Sequence, residues 1–104
     1  MLVPFPFSNL AQAKLRPTVV LADAGRGDWI LCQVTSNPYG DIHALQITDV
    51  SFSAGSLRVT SYARPGRLFT ASQELMLSQV GVLKYHALAA IIEAAIGILR
   101  TGLT

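Results

Sequence analysis

The chain has 104 residues, 51% hydrophobic and only 13% charged, against a usual charged share of roughly 25%; this leaves room for one domain, excludes disorder, and gives more apolar surface than one small core buries. A homo-oligomer or a tight partner is the natural cover for that surface. The net charge is +2, carried on the basic side by six arginines and two lysines, and because guanidinium forks grip phosphate and carboxylate bidentately, an anionic partner is expected.

Short β-like runs separated by turn formers fill the first two thirds, the pattern of a small antiparallel barrel or sandwich. The spacing predicts strands over Leu2 to Phe7, Thr18 to Ala22, Trp29 to Ser36, Ile42 to Thr48, Leu57 to Tyr62 and Arg67 to Thr70. Gly25-Arg26-Gly27-Asp28, Asn37-Pro38-Tyr39-Gly40, Ala54-Gly55 and Pro65-Gly66 break them. Pro4 and Pro6 cannot donate to a ladder, which places the first strand at an edge or a bulge. After Thr70 the period changes from two to 3.6, with a short helix expected from Ala71 to Gln79 and a longer one from Tyr85 to about Arg100. In the longer helix Leu88, Ile91, Ile92, Ala95, Ile98 and Leu99 form one apolar stripe that should cover the barrel or a second subunit. No internal repeat or linker interrupts the chain, so residues 1–104 read as a single α+β domain, mainly β, closed by a C-terminal helix.

The sequence contains no phosphate-binding glycine loop, no GxGxxG and no metal-type cluster of Cys and His, so neither a metal nor a cofactor is expected. His43 and His86 stand alone, and isolated histidines more often pack or solvate than ligate. Asp41 and Asp49 flank a predicted strand, where carboxylates form turns. Alternation from Trp29 to Ser36 puts Ile30, Cys32 and Val34 on the core face and Leu31, Gln33 and Thr35 on the other. Gln33 and Thr35 are then either solvated strand residues or hydrogen-bonding walls of a groove. The same alternation groups Arg58, Thr60, Tyr62 and Arg64. An aromatic between two arginines suits stacking plus phosphate contact on single-stranded nucleic acid, while the plainer reading is an exposed face that keeps the domain soluble.

One cysteine, Cys32, cannot make an intramolecular disulfide, and the start MLVPFPF lacks the basic region and long apolar run of a secretory signal. The expected compartment is the reducing cytoplasm. The longest apolar stretch, near Ala87 to Leu99, is interrupted by Glu93 and is shorter than the roughly 20 residues that cross a bilayer, so no membrane span is expected.

Taken in order, VPFPFS, KLRPTVVL, CQVTS, GSL followed by SYARPGRLFT, and a closing helical segment introduced by VGVL resemble the MazF/PemK toxin family of bacterial toxin-antitoxin systems. The resemblance covers nearly the whole chain, and the Arg-Pro step before an apolar strand is its most characteristic piece. It implies a small SH3-like antiparallel β-barrel with helical additions, a homodimer, and cleavage of single-stranded RNA at short motifs without a metal. It matches the family's catalytic arginine to Arg16 and the threonine at the end of the third strand to Thr35, and it places Ser36, Ser61 and Arg64 around the RNA groove. Gln33 and Tyr62 join these as RNA-binding candidates. A cognate antitoxin with an acidic, partly disordered tail is implied as a partner. Two departures stand out. Some relatives carry an acid active in proton transfer where this chain has Ser61, so the general base is unassigned; relatives also have a few residues with a Gly-Asp pair before the first strand, which here begins almost at Met1.

RNA cuts itself when its 2′-hydroxyl attacks the adjacent phosphorus, so an enzyme need only orient the backbone, move protons and stabilise the phosphorane-like transition state. Arginine suits the last task and, with a pKa above about 12, is a poor base. The resemblance therefore gives Arg16 transition-state stabilisation and Thr35 a hydrogen bond to a non-bridging oxygen, with 2′,3′-cyclic phosphate and 5′-hydroxyl ends. Taken alone, Arg16-Pro17 only presets an extended strand. A non-catalytic SH3-like module that binds RNA or a peptide in the same groove is the alternative. The cleavage motif is set by loops such as Ser8 to Leu15 and is not legible in one sequence.

Overall fold

The computed structural model describes residues 2–8, 13–76 and 79–104. Its strands are β1 (Leu2–Ser8), β2 (Ala13–Gly25), β3 (Asp28–Thr35), β4 (Leu45–Ile47), β5 (Phe52–Gly55), β6 (Ser61–Ser72) and β7 (Gly81–Leu83), followed by helix α1 (Tyr85–Arg100). The strands form one antiparallel sheet in the order β4-β6-β3-β2-β1-β7-β5, curled into an SH3-like half-barrel with α1 packed against its core. The mainly-β α+β architecture with a C-terminal helix is the one the sequence predicts.

Local chemistry explains the long hairpin at the centre. Arg26 and Gly27 both have positive φ, 58° and 81°, the two-residue turn whose twist matches the flanking strands. Asp23 Oδ1 accepts the Gly25 N–H at 2.7 Å and tightens the approach to it. β1 pairs with β2 along its whole length, from Leu2 opposite Val19 to Ser8 opposite Ala13, but with β7 only where Leu2 faces Gly81. Pro4 and Pro6 thus lie on a stretch that, among the described residues, is paired on one side only, as suits residues without an N–H.

β6 is one strand with a corner in it. Cys32 faces Leu68 while Gln33 faces Arg64, so Pro65, Gly66 and Arg67 have no partner on β3. The predicted break at Pro65-Gly66 is therefore a bulge inside a continuous strand. A Cβ added at Gly66 would sit 3.7 Å from Ile98 Cδ1, which brings α1 close to the corner.

Several expected elements differ. Residues 57–60 are irregular, so Leu57 to Tyr62 is not a strand, and Ser61 opens β6. The pairing partners in this region are β5 and β7. Alternation does not signal them because two glycines hold them together: a Cβ at Gly55 would overlap the Val80 carbonyl, and one at Gly81 would come within 2.8 Å of the Ala54 carbonyl. Of Ile42 to Thr48, only Leu45–Ile47 is strand. The preceding residues form consecutive turns, with the Asp41 N–H donating to the Pro38 carbonyl at 2.9 Å and the Ala44 N–H to the Asp41 carbonyl at 3.2 Å. The short helix expected over Ala71 to Gln79 is absent from its described part: Ala71 and Ser72 finish β6, and one 3-10 turn, Gln73–Leu75, follows. Residues 77–78 of that segment and 9–12 of the Ser8 to Leu15 loop lie outside the described residues.

The main core joins Leu2, Val19, Cys32, Val34, Ile47, Phe52, Ala63, Leu83 and Ile91. A second cluster of Val20, Leu31 and Ala71, flanked by Trp29, Phe69 and Met76, occupies the opposite face of the central strands. The expectation that this face of β3 is open and polar therefore fails at Leu31, and Gln33 and Thr35 sit beside an apolar patch.

The predicted bounds of α1 agree with the structure, and Ile91 and Ala95 are its buried residues. Of the expected stripe, Leu99 does not cover the barrel and is 67% exposed. Successive helical residues differ by about 100°, so a sheet that takes Ile91, Ala95 and Ile98 leaves Leu99 turned outward with Ile96 and Leu103. With the 3-10 turn Thr101–Leu103 that continues it, the helical segment runs from Tyr85 to Leu103, 19 residues that include an 18-residue stretch of mean hydropathy 1.4. By length and composition this segment is sufficient to cross a bilayer, which the 87–99 stretch alone is not.

Candidate functional site

The register of the three central strands assembles the site. Thr18 opposite Gln33 is the last pair of β2 on β3, and Arg16 and Thr35 each lie two residues beyond it on their own strands, on the same face as that pair. On β6, Tyr62 lies opposite Thr35 and Arg64 opposite Gln33. Directly opposed residues share a face, so Arg16, Gln33, Thr35, Tyr62 and Arg64 lie on one side of the sheet.

At the end of this face a cleft of about 320 Å³ is lined by Arg16, Thr35, Ser36, Tyr39, Arg58 and Ser61, with apolar walls from Pro17, Val34, Leu57 and Val59. Two arginines line it, and no carboxylate or imidazole does so among the described residues. That charge balance favours an anion. A smaller depression of about 220 Å³ shares Leu57, Arg58 and Val59 and adds Thr48, Asp49, Val50 and Thr60; its Asp49 Oδ1 accepts the Ser56 hydroxyl at 2.6 Å. Among the described residues, no three His, Cys, Asp or Glu side chains converge in a way that could hold a metal.

Two of the hydroxyls in the main cleft, those of Thr35 and Ser61, are already engaged. Thr35, at the end of β3, is buried; its Oγ1 donates to the Asn37 carbonyl at 3.0 Å and accepts the Asn37 N–H at 3.2 Å. To donate to a bound anion it must leave the Asn37 carbonyl. Ser61 is 3% exposed and donates to the Val59 carbonyl at 3.2 Å. Arg16 and Ser36 are exposed.

Gln33, Tyr62 and Arg64 share the face without lining the cleft. Gln33 Oε1 is buried and lacks a hydrogen-bond partner among the described residues. Arg64 Nε donates to Asp41 Oδ2 at 2.9 Å, and Asp41 Oδ1 accepts the His43 N–H at 2.9 Å. The Arg64 hydrogen bond, followed by that from His43, holds the Asp41 carboxyl below its ordinary pKa. Asp41 is thus a turn former, as its sequence position suggests, and also the anchor of Arg64. Beneath this pair, Cys32 Sγ donates to the Arg64 carbonyl at 3.1 Å, and burial pushes its thiol up to about 11.

Tyr39 is the lining residue that the sequence pattern presents only as turn punctuation. Its N–H donates to Asn37 Oδ1 at 2.9 Å, it has a φ of 52°, and it is 73% exposed. An aromatic between Pro38 and Gly40, where small polar residues fit a turn best, is the signal that could have marked it.

By sequence, no protein-family model and no curated protein matches the chain. Solved structures do match in fold. A MazE-MazF structure from Deinococcus radiodurans superposes with a TM-score of 0.75 at 21% identity, covering 94% of this chain and 90% of that one. The toxin MazF-mt6 of Mycobacterium tuberculosis matches with a TM-score of 0.66 at 18% identity, covering 92% and 95%. A mycobacterial endoribonuclease in complex with its cognate antitoxin matches with a TM-score of 0.61 at 13% identity, covering 97% and 88%. The fold is that of MazF toxins.

Proposed function

We propose that this chain is a MazF-type toxin of a toxin-antitoxin system, an endoribonuclease that cleaves single-stranded RNA in the cytoplasm without a metal. The carrying observation is that Arg16 and Thr35, from different strands, come to one arginine-lined cleft in a chain with the MazF fold. The 2′-hydroxyl attacks phosphorus, the bond to the 5′-oxygen breaks, the 2′-proton leaves to base or solvent, and the departing 5′-oxygen takes a proton. The products are a 2′,3′-cyclic phosphate and a 5′-hydroxyl. Arg16 meets the charge that grows on the phosphoryl oxygens with its planar fork. Thr35 adds a hydrogen bond to a non-bridging oxygen by turning from the Asn37 carbonyl.

Two partners belong to this reading. A second copy of the chain covers the outward apolar residues Ile96, Leu99 and Leu103 of the helical segment. An antitoxin inhibits by laying an acidic, partly disordered tail across the cleft, where Arg16 and Arg58 offer carboxylates the same complementarity as phosphates.

The test is incubation of the purified protein with a long defined RNA, with and without excess EDTA, followed by mapping of the cut ends. Cyclic phosphate ends and cleavage indifferent to chelation are expected. Equal cleavage of a substrate lacking the 2′-hydroxyl at the cut site, or loss of activity in EDTA, would refute the mechanism. Binding of RNA with no cleavage would favour the non-catalytic module.

A further inference from the structure

Tyr39 has a conformation and a position that folding alone does not explain. Among the described residues, only Arg26 and Tyr39 combine a side chain with positive φ. Each is the first central residue of a two-residue turn with positive φ at both central positions; for Tyr39 the turn runs from the Pro38 carbonyl to the Asp41 N–H, with Gly40 at 74°. Asn, Asp and Gly take that position cheaply, whereas a bulky side chain there is an outlier. The Tyr39 ring contributes to neither core cluster. It lies in the same cleft as Arg16, Thr35 and Arg58.

The turn is anchored on both sides. Before Tyr39, Asn37 holds the Tyr39 N–H with its side chain and is tied through its backbone to the Thr35 hydroxyl. After it, Asp41 is fixed to β6 by Arg64. A strained aromatic is thus held at a set place relative to Thr35 and projected into an anion-attracting cleft. Strain of this kind persists where the surroundings over-determine it, and it concentrates at binding sites.

We propose that Tyr39 is the platform on which one nucleobase of the RNA stacks, setting the register of the scissile phosphate against Arg16 and Thr35. The inference rests on the ribonuclease reading and adds its base-contacting residue. The chemistry divides cleanly: the guanidinium groups take the phosphate, and the ring, whose hydroxyl is an accessory, takes the flat face of a base. A side chain with two rotatable bonds on a pinned backbone loses little freedom when a base settles on it. Asn37 and the Asp41–Arg64 pair are positioning residues that act through this ring, which gives Arg64 a part in RNA binding without lining the cleft.

The test uses an RNA oligonucleotide that spans a mapped cut site, with 2′-deoxyribose at the cut position and 2-aminopurine beside it, and reads affinity and fluorescence quenching together. The intact protein should bind and quench. Tyr39→Gly and Tyr39→Asn should lose the quenching and bind roughly ten- to a hundredfold more weakly, while melting at the same or a higher temperature because both residues relieve the turn. Tyr39→Phe should keep the quenching and most of the affinity. Asp41→Asn, which loosens the turn, should reduce the quenching and leave the salt dependence of binding unchanged. Wild-type binding and quenching by Tyr39→Gly would overturn the platform alone, and so would a loss in Tyr39→Phe as large as that in Tyr39→Gly. Failure of the intact protein to bind or cut any RNA would overturn the ribonuclease reading itself.

Discussion

Asp41→Ala removes the carboxylate that accepts Arg64 Nε and the His43 N–H, both at 2.9 Å. The paired side chains are 16% and 14% exposed, between an open surface pair, worth roughly 0.2–1 kcal/mol, and a deeply buried one, which costs roughly 3–5 kcal/mol to break. A loss of about 1–2 kcal/mol follows, which in a domain of about 100 residues lowers Tm by about 5–15 °C. The pH dependence has a definite sign. The Asp41 carboxyl lies below its ordinary 3.8 in the folded chain, so its stabilisation is complete above the unfolded value and is lost as pH falls through the folded one. Thermal melts of wild type, Asp41→Ala, Arg64→Ala and the double variant, taken from pH 7 down into acid, read this directly. The gap between wild type and Asp41→Ala should be full at pH 7, shrink below about pH 4 and close in stronger acid. At pH 7 the double variant should fall short of the sum of the singles, since each single already removes the pair. A gap of constant size down to the most acidic point, or full additivity, would refute the assignment of this stability to the ion pair.

Arg16→Ala should slow RNA cleavage by about 100-fold or more with little change in Tm, since Arg16 is exposed, and Arg16→Lys should restore little because a point charge lacks the fork; wild-type cleavage by Arg16→Ala would remove Arg16 from the chemistry. Light scattering at tens of micromolar should give a dimer, with an interface of at least about 1,200 Å², and Leu99→Glu should shift it toward monomer; a monomeric wild type would count against the pairing. RNA and antitoxin should compete for the cleft, and a ternary complex with undiminished cleavage would exclude occlusion. Iodoacetamide should modify Cys32 slowly in the folded chain even at pH 9, because its thiol is held up to about 11 in a buried site, and quickly after unfolding; fast labelling of the native protein would contradict that burial.

The parts of this fold legible in the sequence are those specified by short-range pattern. The stripe through Ile91 and Ala95, the hairpin over Arg26-Gly27 and the alternation in β3 each depend on neighbours within a few positions, and each forms close to where the pattern puts it. β5 and β7 depend instead on Gly55 meeting Gly81, an approach between residues far apart in the chain, and neither segment carries a periodic signal of its own. Leu99 belongs to the helical stripe yet misses the sheet, because helical spacing gives the width of a stripe and not the width of the sheet that meets it. At the site, Arg16 and Thr35 were legible through the resemblance, and the structure brings both to one cleft. Tyr39 was hidden because Asn37-Pro38-Tyr39-Gly40 is a complete turn signal by itself. The ion pair joining Asp41 to Arg64 spans two elements, so neither residue announces the other.

Leu2 faces Gly81, and its carbonyl accepts the Val80 N–H at 2.8 Å, so the sheet is clasped by segments from opposite ends of the chain. During synthesis the two events are separated in time. A ribosome adding roughly 5–20 residues per second releases β1, β2 and β3 several seconds before β7, and every described wall of the cleft, from Arg16 to Ser61, is made before the clasp. The nascent chain can therefore assemble its anion-binding surface while Leu2 and Val19 still await Leu83 and Ile91. Such late, long-range closure is slow and leaves apolar strand surface uncovered in the interval. The vulnerable period in the life of this molecule is set by the last strand, and a chain cut short of Gly81 would carry its cleft on a sheet with no clasp.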